Sequence, residues 1–313
     1  MSDARMPSAV PLKLRLPATS ANLGSGFDAV AVALDFYLEV EAEAAAEFSI
    51  AAAGRNADRC GRLEDNLVLE TYKDLLRKSD RPIVPLRIEM KNGIPLAMGC
   101  GSSAAGRLAA IALAVHYGRL GWGSQRILEE AYLLEGHPDN VAACWLGGFV
   151  AAACEGRAVK VAQVTPPTDW RAIVVLPAEQ LPTSKARAVL PASYPLGDVV
   201  SNLQAVSMLG LAFAQGRGDL LKAAMSDRIH QPYRAPICPQ LPLLLPLVGM
   251  HGILGAALSG AGPAVLVIVS NEDSLGQASD AIRRAVGELD ELELLVSRFE
   301  LGGTTGLIEA MLP

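Results

Sequence analysis

Charged residues are few in this sequence: Asp, Glu, Lys and Arg make up 19% of 313 residues, against 51% hydrophobic. That balance excludes a disordered chain and supports a substantial core, in one large or two medium domains. Positive charge is not in surplus. The 27 Lys and Arg against 33 Asp and Glu leave a net charge of −6, which argues against a nucleic-acid binder and allows at most a local basic pocket. The five cysteines (60, 100, 144, 154 and 238) contain no Cys-x-x-Cys. They read as reduced thiols of a cytoplasmic protein with no zinc cluster. Met1 to Leu16 lacks the long apolar core of a signal peptide. Between Arg234 and Glu272 no Asp, Glu, Lys or Arg occurs, a length that could span a bilayer. However, Pro236, Pro239, Pro242, Pro246 and Pro263, five glycines and His251 interrupt it. Those breakers predict short buried pieces and no membrane span. No internal repeat and no low-complexity tail is present.

What the chain does have is concentrated in Pro95-Leu-Ala-Met-Gly-Cys-Gly-Ser-Ser-Ala-Ala105. Gly99, Gly101, Ser102 and Ser103 stand directly before an Ala/Leu-rich segment, Ala104 to Tyr117, that reads as a helix stopped by Gly118. A glycine-rich turn entering a helix N-terminus makes an anion site, because unpaired backbone N–H groups point outward and the helix dipole favours negative charge. The two hydroxyls add donors and a magnesium ligand. A serine-capped glycine loop with no ligand explains the same residues. Two familiar phosphate motifs are excluded. Gly101 and Gly106 are followed by Arg107 and Leu108, so there is no Walker lysine, and Ala104 stands where the dinucleotide fingerprint has its third glycine.

Elsewhere, residues 12–16 alternate as a strand that Pro17 ends, followed by a polar loop from Ala18 to Asp28. That loop is either a simple turn or a way of presenting Asn22 and Asp28 to a small polar ligand. Ala29 to Leu34 is apolar and Phe36 to Glu43 alternates again. Leu67 to Arg77 and Gln125 to Leu134 read as helices, and Leu86 to Met90 as a strand before an Asn92-Gly93 turn. Glu135 to Asn140 is a polar turn in which His137 and Asp139, taken alone, are turn-formers, and an apolar run follows from Val141 to Cys154. A Pro/Thr-rich stretch, 164–169, reads as a linker between domains 1–165 and 166–313. Beyond it come the strand Arg171 to Leu176 and the segment Thr183 to Arg187. Val199 to Gln215 and Leu220 to Met225 follow as helices, with His230 to Arg234 closing the second. A second glycine cluster, Ser259-Gly-Ala-Gly-Pro263, precedes the strand Ala264 to Val269. Leu275 to Gly287 is then a helix, and Glu291 to Arg298 a last edge strand.

Three of these segments, in this order, resemble the three motifs of the GHMP kinase superfamily. Pro95 to Ala105 resembles its ATP-binding motif and Ser259 to Pro263 its third motif. Pro17-Ala-Thr-Ser-Ala-Asn-Leu-Gly-Ser-Gly-Phe-Asp28 and Glu135-Gly-His-Pro-Asp-Asn-Val141 resemble the homoserine kinase branch, as do Thr183 to Arg187 and His230-Gln-Pro-Tyr-Arg234. The departures are Cys100 for leucine, Ser25 for proline, and Ala-Ala-Cys144 where the family often has Ala-Pro.

The resemblance implies an α+β fold of two domains, the first of the ribosomal-protein-S5 type and the second ferredoxin-like, with ATP between them. It implies ATP-dependent phosphorylation of the side-chain hydroxyl of L-homoserine, a step of threonine biosynthesis. The motif from Pro95 through Leu96, Ala97, Met98, Gly99, Cys100, Gly101, Ser102, Ser103 and Ala104 to Ala105 would bind ATP. Ser102 and a helix glutamate would hold Mg²⁺, and counting back from Asp139-Asn140 favours Glu129 over Glu130 and Glu135. Arg187 and Arg234 would clamp the α-carboxylate, Asn22 and Asp28 would take the ammonium and the reacting hydroxyl, and His137 and Asn140 would line the same cleft. Asp28, Asn140 and Arg187 are thus the catalytic candidates, and the proton acceptor is Asp28 or the phosphate itself. A homodimer is implied by the resemblance alone. The rivals are another kinase of the superfamily, acting on a mevalonate-type alcohol, and a non-catalytic binding protein on the same fold.

Overall fold

The computed structural model describes residues 10–287 and 292–304. The first half builds one sheet and its covering helices. In chain order these are β1 (Leu12–Asn22), β2 (Gly26–Ala44), β3 (Ser49–Gly54), α1 (Ala57–Cys60), α2 (Leu67–Lys78), β4 (Leu86–Asn92), α3 (Ser102–Tyr117), α4 (Ser124–Glu135), α5 (Asp139–Leu146), β5 (Phe149–Glu155) and β6 (Ala158–Val164). The strand order is β3-β4-β2-β5-β6, with β1 also paired to β2, and only β3–β4 is parallel among these pairs. α3 is apolar on almost every side and buried along nearly its whole length. A helix of that kind has to be covered all round, and α2, α4, α5, β1 and β2 do so.

The second half runs β7 (Arg171–Leu176), α6 (Thr183–Ala188), α7 (Leu196–Gln215), α8 (Leu221–Ala224), α9 (Gln231–Arg234), α10 (Gln240–Leu244), β8 (Ile253–Leu258), β9 (Val265–Val269), α11 (Leu275–Val286) and β10 (Glu293–Ser297). Its four strands lie in the order β10-β7-β9-β8, all antiparallel. Numbered within this half, that is fourth, first, third, second, the split β-α-β plait of a ferredoxin-like unit. β7 shows how the two halves share a core. Ala172, Val174 and Leu176 join the large cluster that also holds α3, whereas Ile173 and Val175 join a smaller one beneath α10 and α11. Period-two alternation sends neighbouring side chains to opposite faces.

Three sequence expectations are corrected. Pro17 does not end β1, which continues to Asn22 through a register shift between Pro17 and Ala18. An irregularity is where a strand tolerates a residue with no N–H. The predicted polar loop therefore shrinks to residues 23–25, and the two segments after it form one 19-residue strand, β2. The apolar run from Val141 to Cys154 is two elements, α5 and β5, divided by left-handed Gly147 and Gly148 (φ 80° and 68°). The last strand begins at Glu293, and the expected start at Glu291 lies outside the described residues. The charge-free stretch between Arg234 and Glu272 is broken into short 3₁₀ turns, α10, β8 and β9.

Candidate active site

Three glycine-rich segments, far apart in the chain, are tied together by backbone. Thr19 N donates to Cys100 O (3.1 Å), Gly260 N to Ala21 O (3.0 Å) and Ala264 N to Met98 O (3.3 Å). Ser259 Oγ donates to Gly99 O (2.8 Å) and Asn22 Nδ2 to Gly260 O (2.7 Å). The glycines are required by contact and by conformation. Gly99 (φ 81°) and Gly101 (φ 71°) are left-handed, and a Cβ would run into the Ser259 carbonyl from the first and the Thr19 hydroxyl from the second. Gly101 is the N-cap of α3 and brings no side chain to cap it. The first-turn N–H groups of that helix are thus left for an anion. Cys100 is buried within this knot, and burial pushes its thiol up to about 12, so it fills space as a neutral group.

A cavity of about 640 Å³ runs along this loop. One end is walled by Leu67 and Val68 of α2, Met90 of β4, and Ile94 and Leu96. Asn66 caps α2 there, its Oδ1 accepting from Val68 N and Leu69 N (3.1 Å each). The other end is polar and holds Asn22, Asp28, His137, Asn140, Arg187 and Arg234. Asp28 sits in a left-handed conformation (φ 54°), as do Asn22 (72°) and Leu23 (45°). Non-glycine residues held there mark a backbone constrained by its surroundings. Asn22 supplies the constraint, because its Oδ1 accepts from Asp28 N (2.9 Å) while its amide is committed to Gly260.

The ionic groups at this end are matched unequally. Arg187 grips Asp28 through two bonds, 3.0 Å and 2.6 Å, with both side chains about one-third exposed (39% and 33%). That bond raises the Arg187 pKa. Arg234 is 1% exposed, and its guanidinium donates to Ala186 O (3.0 Å), His230 Nδ1 (3.1 Å) and Gly260 O (3.4 Å), which are neutral acceptors. Burial and the Arg187 charge push it below the usual arginine range. Both guanidinium groups lie over the Phe27 ring, at 5.5 and 5.4 Å, and His230 stacks on the same ring. His230 is fully buried, and burial takes its pKa down to about 4, with Arg234 acting in the same sense and Asp227 against it. It is therefore a neutral imidazole that donates from Nε2 to Gly24 O (2.8 Å) and accepts at Nδ1 from Arg234.

His137 and Asp139 are more than turn-formers here. His137 Nδ1 lies 2.9 Å from Asp139 Oδ1, which also accepts from Asn140 N (2.6 Å). Burial pushes His137 down, but the Asp139 bond and the charges of Asp139, Glu135 and Asp28 outweigh it, and the net shift is upward. Asn140 Oδ1 accepts from Thr19 Oγ1 (2.6 Å), tying the start of α5 to β1.

Not every expected residue reaches the cavity. Pro95, Met98, Ala104 and Ala105 are buried, the last three within the core, and are not among the residues that line the cavity. Glu129 also stands away from the cavity wall, its carboxylate accepting from Gln125 (2.8 Å), while Glu130 pairs with Arg126 (3.1 Å). The carboxylate beside the loop is Glu135, which accepts from Ser103 Oγ (3.0 Å) and lies 2.7 Å from Arg107 Nε, an ion pair off the line of a hydrogen bond. Glu129 and Glu135 are six residues apart on α4, a rotation of about 240°, so they do not share a face. Thr19, His230 and the apolar wall other than Leu96 carry no role in the sequence reading. Thr19 and His230 lie inside quoted segments, whereas the wall comes from α2, β4 and the loop and has no local pattern to find.

Residues 66–148 match the family described as GHMP kinases N terminal domain, and residues 211–288 match GHMP kinases C terminal. The chain is 42% identical to a homoserine kinase of Solibacter usitatus over 89% of this chain and 92% of the relative. It is 40% identical to a homoserine kinase of Thermus thermophilus, over 88% and 93%. Its fold is similar to the crystal structure of homoserine kinase from Cytophaga hutchinsonii, with a TM-score of 0.81 at 24% identity, covering 94% of this chain and 96% of the other. With matches that span both halves of the molecule, the chain belongs to the homoserine kinases of the GHMP kinase family.

Proposed function

We propose that this protein transfers the γ-phosphoryl group of ATP to the side-chain hydroxyl of L-homoserine, giving O-phospho-L-homoserine for threonine biosynthesis. The observation that carries the reading is one continuous cavity with a backbone anion site at its centre, an apolar wall at one end and a pair of arginines with an aspartate at the other. Phosphoryl transfer asks little covalent help of a protein; positioning and charge neutralisation carry it. The apolar wall receives the adenine, and the α3 N-terminus from Gly99 to Ser103 receives the phosphates.

Homoserine is a zwitterion bearing a hydroxyl. Its carboxylate meets Arg234, whose bonds to neutral acceptors leave the charge uncompensated, and competes with Asp28 for Arg187. Asp28, once displaced, is free for the ammonium and the reacting hydroxyl, and serves as proton acceptor unless the phosphate itself does. Asn22 holds Asp28 in place through its backbone amide, and Asn140 and His137 close the cleft beside it.

Magnesium fits this arrangement. Among the described residues no cluster of three His, Cys, Asp or Glu side chains forms a cage, and the donors beside the loop are the Ser102 hydroxyl and the Glu135 carboxylate. Mg²⁺ typically takes one or two protein ligands and completes its shell with phosphates and water. When bound, it neutralises charge on the transferring group. Glu135 takes the place of Glu129 in this reading. The five free cysteines support a cytoplasmic enzyme, and the two sheets support a division into domains 1–165 and 166–313.

The test is ADP release from Mg·ATP with L-homoserine, L-serine, mevalonate and galactose in parallel. Turnover with homoserine alone is expected. Turnover with mevalonate would keep the kinase and discard the amino-acid pocket, and ATP binding without turnover on any of them would favour a binding protein.

A further inference from the structure

Four arginines line the cavity, and Arg107 is the one carried by the helix that follows the phosphate loop. The loop itself, Leu96 to Ser103, brings no charged side chain. Arg107 stands four residues beyond Ser103 on α3, so the two share a side of the helix. Helical side chains lean back toward the N-terminus, and a long one at 107 therefore leans toward the first-turn N–H groups. Its guanidinium is barely engaged. Among the described residues its one partner is Glu135, 2.7 Å from Nε, and that nitrogen is buried with no hydrogen bond. The oxygen it faces, Glu135 Oε2, already accepts from Ser103 Oγ (3.0 Å). Arg187 and Arg234 differ, since each has at least two hydrogen bonds made within the protein.

We propose that Arg107 binds the phosphate chain of the nucleotide, supplying from inside the helix the cation that this loop lacks. The inference rests on the α3 N-terminus as the phosphate site and on Glu135 as the magnesium carboxylate. Arg107 and the metal then compete for one carboxylate. A guanidinium stays charged at any pH the protein meets, and a charge set in a cavity wall needs a partner there. With Glu135 given to Mg²⁺, the nearest anion left for Arg107 is the phosphate chain, whose charge exceeds what one metal ion and a helix dipole neutralise. The planar fork of a guanidinium also matches phosphate oxygens in pairs, which a lysine does not. Arg107 thus has two anions within its range, Glu135 and the nucleotide, and the metal decides between them. The bland alternative is an ion pair that only pins α3 to α4.

Calorimetric titration of the full chain with the non-hydrolysable ATP analogue AMP-PNP, and with adenosine, reads this without turnover. Arg107→Gln is expected to weaken binding of Mg·AMP-PNP by at least about tenfold, to leave adenosine binding unchanged and to keep the melting temperature. Arg107→Lys should recover part of the loss. The decisive pair is measured in EDTA, where no metal competes. Glu135→Gln releases Arg107 and should bind metal-free AMP-PNP about tenfold more tightly than the unmodified chain. Adding Arg107→Gln to that variant should cancel the gain. An ion pair that merely pins two helices, or merely neutralises Glu135, would leave the double variant as tight as Glu135→Gln, and that result would overturn the proposal. So would an Arg107→Gln chain that binds Mg·AMP-PNP normally, or one that loses adenosine equally. A Mg²⁺ dependence unchanged in Glu135→Gln would overturn the metal reading and the exchange built on it. An unmodified chain that binds no nucleotide would overturn the kinase site itself, an outcome distinct from intact binding that is indifferent to Arg107.

Discussion

The two ends of the cavity are made of different materials. Around the phosphate loop the contacts are backbone: carbonyls and N–H groups of residues 19–21, 98–100 and 259–264 bond to one another, and glycines make the close approaches sterically feasible. At the acceptor end side chains make the contacts, to one another and to backbone carbonyls, with the Asp28–Arg187 ion pair and the His137–Asp139 bond among them. A backbone site holds its shape before any ligand arrives and recognises what all nucleotides share. A side-chain site is held by bonds that the ligand itself can replace, so it can discriminate. The first should fail through loss of fold, the second through loss of turnover.

The sharpest way to break that contrast is Asp28→Ala set against Asp139→Ala. Asp28 faces the acceptor cleft and is displaced by substrate in the proposed reaction, whereas Asp139 is 1% exposed and spends its oxygen on Asn140 N and His137. Steady-state kinetics should show kcat/KM falling by about 10³ in Asp28→Ala. Asp139→Ala should lose about tenfold, with about 1–2 kcal/mol of stability. Equal losses at equal stability would dismiss the ordering.

Next in size is Gly99→Ala compared with Gly136→Ala. Both glycines are left-handed, φ 81° and 85°, but Gly136 has nothing within 4 Å of where a Cβ would stand, and Gly99 has the Ser259 carbonyl. Chemical denaturation should show a loss of roughly 3 kcal/mol for Gly99→Ala and of about 1 kcal/mol for Gly136→Ala. Similar midpoints would mean that the loop gives way and the backbone knot is soft.

Smaller again is the metal carboxylate. Glu135→Gln should raise the Mg²⁺ concentration needed for half-maximal turnover by at least about tenfold, while Glu129→Gln leaves it unchanged. The reverse pattern would restore Glu129.

The smallest effect is a slope in pH. His230 is buried and neutral, with its pKa taken down to about 4. Between its unfolded value, about 6.5, and that folded value, the unfolded chain binds the proton and the folded one does not. Its contribution is therefore intact above about pH 6.5 and declines as pH falls toward 4, by up to about 1.4 kcal/mol per unit. His137 runs the other way. Its raised pKa stabilises fully below the unfolded value, and the gain is lost as pH rises through the folded one. Melting curves of His230→Asn should lack the acid-side slope, and an unchanged slope would show that another group sets it.

The sequence by itself determined most of the elements and the phosphate loop. Glycine spacing, hydroxyls at a helix entry and the start of an apolar helix are local properties within eleven residues, from Pro95 to Ala105, so short-range sterics express them without help from the rest of the chain. It also specified which segments carry the acceptor groups, because Asp28, His137, Arg187 and Arg234 each lie in a recognisable stretch. Tertiary structure decided the rest. Whether Glu129 or Glu135 faces the loop depends on the rotation of α4 against the core. Whether Pro17 stops a strand depends on the neighbour that carries the register past it. The ionic contrast between Arg187 and Arg234 depends on burial, which joins residues 28, 187, 230 and 234 from separate elements. Desolvation and cross-chain pairing belong to no single stretch of sequence, and for that reason the site's chemistry could be located along the chain but its geometry could not.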